Sequence, residues 1–246
     1  MKKNILYTMM VALAVTLLAS CDKDSEGLSK IIDYPALTIT GDVFYISPIG
    51  QTYVDEGCTA TYQGADYTSH IIAEGIEDID VNTPGLYYVT YSATSPDGFT
   101  WSETRTVAVC DPSVTTDLSG TWTTTENTYR LNSNTNGKIG YSECTTEIKY
   151  LCPGIFEIQD YMAGFYSQYA GYQAAYPSYD FDLDGIFQLT ADNKIVAISS
   201  NPLTIFNPAI AVESIQDGEY DPATGVISFV MYQQNTYMQY HVELKK

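Results

Sequence analysis

From Leu37 to Cys110 the chain never sustains a helical period. Short runs of β-branched and aromatic residues alternate with turn residues, and that rhythm restricts this part of the chain to sheets. Leu86-Tyr87-Tyr88-Val89-Thr90-Tyr91 and Thr104-Arg105-Thr106-Val107-Ala108-Val109 read as strands, and Ser95-Pro96-Asp97-Gly98 between them is a turn, so the two should pair antiparallel. The C-terminal end repeats the pattern. Tyr220-Asp221-Pro222-Ala223-Thr224-Gly225 is a turn with a proline that presets φ and a glycine suited to a positive one, followed by a strand from Val226 to Tyr232. In the last segment Met238, Tyr240, Val242 and Leu244 share one face, which predicts a closing hairpin or meander. The fold expected is all-β.

The first residues point to export. Met1, Lys2 and Lys3 precede an apolar run from Met9 to Leu18, too short to span a bilayer, and small residues lead into Cys21. Leu18-Ala19-Ser20-Cys21 resembles the lipobox of bacterial lipoproteins, which implies lipidation of Cys21 after removal of residues 1–20 and anchoring in the outer membrane. Asp22-Lys23-Asp24-Ser25-Glu26-Gly27 is similar to the acidic signal that carries Bacteroidetes lipoproteins to the cell surface; the other reading is a solvated tether facing the periplasm. Residues 21–36 form the expected tether, and 111–116, opened by Asp111-Pro112, a linker between an N-terminal domain (37–110) and a C-terminal one (117–246).

Charge narrows the partners. Thirty acidic residues face eleven Lys and Arg, a net charge of -19, and processing would remove two lysines and no acid. Such a chain repels phosphate backbones, which argues against nucleic acid. With Cys21 lipidated, Cys58, Cys110, Cys144 and Cys152 permit two disulfides in three pairings, and the sequence does not choose among them. No CxxC or Cys/His cluster supplies a zinc site, and nothing calls for a cofactor.

Three blocks, Tyr53-Val54-Asp55-Glu56-Gly57-Cys58-Thr59-Ala60, Thr83-Pro84-Gly85-Leu86-Tyr87-Tyr88-Val89-Thr90-Tyr91 and Thr104-Arg105-Thr106-Val107, together resemble the immunoglobulin-like domains of bacterial surface proteins. The resemblance implies a β-sandwich acting as spacer or binding module. Gly120-Thr121-Trp122 resembles the opening of lipocalins, so the second domain is expected to be a β-sandwich or a lipocalin-like barrel. The order of Ile158 to Tyr166, Phe206-Asn207-Pro208 and Gly218 to Pro222 is similar to Bacteroidetes lipoproteins encoded with glycan-uptake systems. That resemblance implies binding of a polysaccharide or oligosaccharide and partnership with a glycan importer, with a structural spacer or a small-ligand binder as alternatives.

Tyrosine outnumbers phenylalanine 22 to 8, and Phe165, Tyr169, Tyr172, Tyr176 and Tyr179 crowd one segment. A pyranose stacks its C–H face on an aromatic ring while its hydroxyls need polar partners, so Asp160, Tyr161, Tyr166, Tyr169 and Trp122 are the candidate glycan contacts; core packing is the competing role. Asp180, Asp182 and Asp184 stand at calcium-loop spacing ahead of Gly185, yet residue 191, where the bidentate glutamate belongs, is Ala. A strand with these aspartates on the wet face and Phe181 and Leu183 buried explains the same letters, and a weak cation site is the alternative. His70 and His241 lie far apart and no G-x-S-x-G or H-E-x-x-H occurs, so the expected function is non-catalytic.

Overall fold

Period-two alternation fixes the register of the N-terminal strands, because a one-residue slip would turn every core side chain outward. A computed structural model describes residues 32–246; the signal segment, Cys21 and the tether up to residue 31 lie outside the described residues. Seven strands follow: β1 (Ala36–Ile39), β2 (Phe44–Pro48), β3 (Cys58–Tyr62), β4 (Ala65–Asp66), β5 (Ile72–Glu74), β6 (Gly85–Thr94) and β7 (Thr100–Cys110). They form two sheets, β1-β3-β4 and β2-β7-β6-β5. β6 and β7 pair antiparallel from Gly85↔Val109 to Thr94↔Thr100, around a turn in which Gly98 has φ 86. Val89, Tyr91 and Val107 fill the space between the sheets with Leu37, Ile39, Tyr45 and Tyr53.

A buried charge crosses this core. Arg105, 1% exposed, is held 2.6 Å from the Asp55 carboxylate and also donates to Tyr53 Oη and to the carbonyls of Asp42 and Thr40. Every guanidinium bond closes a long loop, so the pair locks the Tyr53–Cys58 segment onto β7 with its desolvation offset by hydrogen bonds. Ahead of β1 the chain is already held. Asp33 accepts from Gln63 Nε2, and Tyr34 packs against Phe99 and Trp101, each with centroids 5.8 Å apart, so the packed part begins earlier than the tether boundary expected at residue 36.

The second half contributes β8 (Gly120–Thr124), β9 (Tyr129–Asn132), β10 (Gly137–Gly140), β11 (Thr145–Cys152), β12 (Ile155–Ile158), β13 (Gly185–Leu189), β14 (Ile195–Ser200), β15 (Val212–Asp221), β16 (Val226–Gln233) and β17 (Met238–Lys245). All ten join one antiparallel sheet. β15-β16-β17 form a meander, and the far edge of β17 is shared between β9, opposite Met238–His241, and β8, opposite Leu244 and Lys245. From β8 the order continues β11-β12-β13-β14. The sheet curls until β14 returns beside β15, where a Lys194↔Glu219 bridge and a Tyr220 N–H to Asn193 carbonyl bond of 2.9 Å join the two ends.

The interior of the curl is filled. Trp122, Phe156, Phe187, Phe229, Met231, Tyr240 and Leu244 are all buried, and Trp122 Nε1 donates to the Leu118 carbonyl at 2.7 Å. A lipocalin-like binder needs an interior cavity, and side chains occupy this one. On β17, Tyr240, Val242 and Leu244 point inward as the alternation predicts.

One disulfide, Cys110–Cys152, ties the end of β7 to the end of β11 and hence one half of the chain to the other. Around it Ala108 and Ile155 are buried with Leu86, Leu151, Ile186 and Ile198 packed against them. Cys58 and Cys144 are free, so one of the two disulfides the sequence allows is present among the described residues. Val114, within the expected linker, is buried in the C-terminal core, and Asp111 accepts from the Ser113 N–H; the connection is packed down rather than loose.

Candidate functional site

Between β12 and β13 the chain leaves the sheet, and Asp160 ties both ends of the excursion together. Its Oδ1 accepts from the N–H groups of Met162 (2.9 Å) and Leu183 (3.0 Å), and its Oδ2 from Gly164 N–H (2.7 Å). The residue is 1% exposed, and burial first, then the neighbouring Asp182 charge, push its carboxyl up to about 7 against the pull of the three N–H donors. The backbone turns sharply through Ala163 (φ 48) and Gly164 (φ 82). A single π-helical turn, Phe165–Tyr169, and a single α-helical turn, Tyr172–Ala175, follow. Phe165 anchors the first of these between Tyr141 and Tyr240, with the Arg130 guanidinium 4.6 Å from its ring centroid.

Three candidate glycan contacts are therefore structural. Asp160 and Tyr161 are buried, Tyr161 donating to the Ile186 carbonyl at 2.7 Å, and Trp122 is 2% exposed inside the curl. None offers a ring face or carboxylate to a ligand. At Gly185 an added Cβ would run into the Tyr161 ring, so the glycine at the start of β13 leaves room for it. Tyr169 is half exposed but stacks on Phe165, 5.6 Å away, and Tyr166 is half-buried behind Phe206, 5.0 Å away.

The open aromatic surface lies further along. Tyr172, Tyr176, Tyr179, Phe181, Ile205 and Phe206 line a hollow of about 410 Å³. Phe181 is its floor, with ring centroids 5.5 Å from Tyr172, 6.4 Å from Tyr176, 6.5 Å from Tyr179 and 6.2 Å from Phe206. The rim is open: Tyr176 is 56% exposed, Tyr179 54% and Tyr172 37%. Tyr172, Tyr176 and Tyr179 stood out in the sequence as a cluster, and no signal there brought Ile205 and Phe206 to it.

Asp180, Asp182 and Asp184 lie on the opposite side of the same segment, lining a groove of about 390 Å³ with Glu147, Glu157, Gln159 and Lys149. The expected strand begins only at Gly185. Its alternation nevertheless extends back, with Phe181 and Leu183 buried, because Leu183 bonds to the Asp160 carboxylate and, through its carbonyl, to Tyr161 N–H in place of a strand partner. Each aspartate has its own protein partner: Asp180 accepts from Asp182 N–H, Asp182 from Gln159 and Asp184 from Asn201. Among the described residues no group of three His, Cys, Asp or Glu side chains converges to hold a metal ion. His70 stacks on Tyr67 and His241 on Tyr129, in different halves of the chain.

A family model for the immunoglobulin-like domain of bacterial surface proteins matches residues 37–109, and a model for a C-terminal domain matches residues 111–246. No curated protein matches the chain. Among solved structures, the lipoprotein BT2262 from Bacteroides thetaiotaomicron is 30% identical, with 86% of this chain and all of that one covered, at a TM-score of 0.45. Two structures from Clostridium perfringens ZmpB also align. The M60 catalytic domain with CBM51-1 and CBM51-2 is 22% identical over 53% of this chain and 14% of that one, at a TM-score of 0.27. CBM51-2 in complex with GlcNAc, with INT domains, is 23% identical over 50% and 28%, at 0.26. The C-terminal model spans more than half of the residues and the identity to BT2262 runs the length of that protein, so the chain belongs to the family of this Bacteroides lipoprotein, an immunoglobulin-like domain followed by a C-terminal β domain.

Proposed function

We propose that the chain is a surface lipoprotein, anchored in the outer membrane through Cys21, that binds a polysaccharide or oligosaccharide without chemically altering it. One observation carries the binding reading. Three tyrosine rings stand open around a buried phenylalanine floor, and among the described residues none of their hydroxyls has a hydrogen-bond partner. Apolar rings with free hydroxyls match a sugar, which offers a C–H face and a fringe of hydroxyls. The hollow is shallow, so a single site should bind with Kd between about 1 mM and 1 μM, and a repeating polymer should be held more tightly through effective concentration.

Tyr176→Ala and Tyr179→Ala should each weaken retention by a bound polysaccharide in affinity electrophoresis about tenfold, the worth of roughly 1.4 kcal/mol of stacking. Both side chains are exposed, so melting temperatures should barely move. Full retention in both variants would remove the hollow from the binding surface, and failure of wild type to bind any glycan would favour an inert spacer.

Anchoring has its own test. Radiolabelled palmitate should enter the wild-type chain and not Cys21→Ala, because no described helix is long and apolar enough to cross a membrane and acyl chains would supply the affinity. Equal labelling of both would place the lipid elsewhere.

A further inference from the structure

The two sides of residues 179–184 carry opposite chemistry, and they are one residue apart. Tyr179 and Phe181 face the aromatic hollow, while Asp180 and Asp182 face the acidic groove. No basic residue lines the hollow. In the groove five carboxylates, Glu147, Glu157, Asp180, Asp182 and Asp184, meet one ammonium, Lys149, and that ammonium is already paired with Glu157 at 2.7 Å. A glycan stacked on Tyr179 thus lies beside an uncompensated negative field on a chain of net charge -19.

Resting on the glycan reading of the hollow, we infer that the site selects uncharged glycans and rejects those bearing uronate, sulfate or phosphate groups. Stacking on a ring is indifferent to the charge of a distant substituent, so the hollow alone would accept both kinds. Discrimination comes from the neighbouring carboxylates, which raise the free energy of an anionic sugar at the site without touching a neutral one. Asp180 is exposed and its repulsion reaches a ligand through solvent, so selectivity must depend on salt: strong where the Debye length is about 20 to 30 Å, weak where it is about 4 Å. Lysine or arginine at the rim would have indicated the reverse preference, since those residues are the usual partners of anionic sugars.

Matched pairs of polymers with a common backbone separate the possibilities. Hydroxyethyl-cellulose with carboxymethyl-cellulose, methyl-esterified with de-esterified polygalacturonan, and a neutral β-glucan with its sulfated form would be run in affinity gels against the full chain in non-ionic detergent. In any pair whose neutral member retards the protein, the anionic member should be at least tenfold weaker at 20 mM salt, and the gap should close at 500 mM. In D180N/D182N/D184N the ratio of neutral to anionic affinity at 20 mM salt should fall at least threefold, since the one oxygen Asn retains can still accept the single bond each aspartate receives from Asp182 N–H, Gln159 or Asn201, while the charge is removed. An anionic member held as tightly as its neutral partner overturns the selectivity while leaving the glycan reading standing. A triple variant with an unchanged ratio overturns it equally, by removing its cause. No retardation by any polymer overturns the glycan reading and the selectivity with it.

Discussion

Replacing Cys110 and Cys152 together by alanine is expected to lower the stability of the folded chain by about 4 kcal/mol. The bond closes a loop of 42 residues, and in the chain-entropy account the crosslink removes that much disorder from the unfolded state. The two sulfurs lie among Ala108, Ile155, Leu86 and Ile186, so alanine keeps the pocket apolar and the change reports mainly on the crosslink. Because the bond joins β7 to β11, its loss should also loosen the docking of the two halves. Urea unfolding read by tyrosine fluorescence should then resolve into two transitions, one for each half, where wild type shows one. A loss under about 1 kcal/mol with a single transition would mean that packing alone joins them.

The second large effect is expected at Asp160. Asp160→Ala leaves the N–H groups of Met162, Gly164 and Leu183 buried without an acceptor, at roughly 1 to 3 kcal/mol for each buried polar group left unsatisfied, so a total loss on the order of 3 kcal/mol or more is expected. The loss should depend on pH. Burial holds this carboxyl up to about 7, above its ordinary value of 3.8, so between those limits the folded chain keeps a proton that the unfolded chain has released. The stability it confers is therefore fully present below pH 4 and declines as pH rises through 7. The gap between wild type and Asp160→Ala should be widest near pH 4 and narrower at pH 8. Comparing the two proteins at each pH cancels the exposed aspartates whose carboxyls are held low by local hydrogen bonds, such as Asp80 and Asp221. A gap that widens towards pH 8 would show that the three N–H donors, rather than burial, set the titration of Asp160.

What the sequence made legible follows the reach of its signals. Strand alternation acts over neighbouring residues, and it located β6, β7, β16 and β17 with their buried faces. Asp180 to Gly185 shows where that signal stops. The alternation was real, but whether a segment pairs as a strand depends on what lies beside it, and here a carboxylate contributed by Asp160 replaces the ladder. Among the four candidate cysteines, pairing required knowing that β7 and β11 end side by side. The candidate site was half legible for the same reason. An aromatic-rich segment can be seen in a sequence, but which rings are buried is decided by distant elements: β13 covers Tyr161, whereas Phe206, from the segment after β14, completes the hollow under Tyr172.

A glycan seated on the exposed rings around Phe181 should be visible in the ring resonances of isotopically labelled tyrosine. On titration with a glycan that retards the protein, the Tyr172, Tyr176 and Tyr179 resonances should shift together with one binding constant, while those of the buried Tyr161 and Tyr240 stay in place. Shifts confined to rings outside the hollow, such as Tyr34 beside Trp101, would contradict the account.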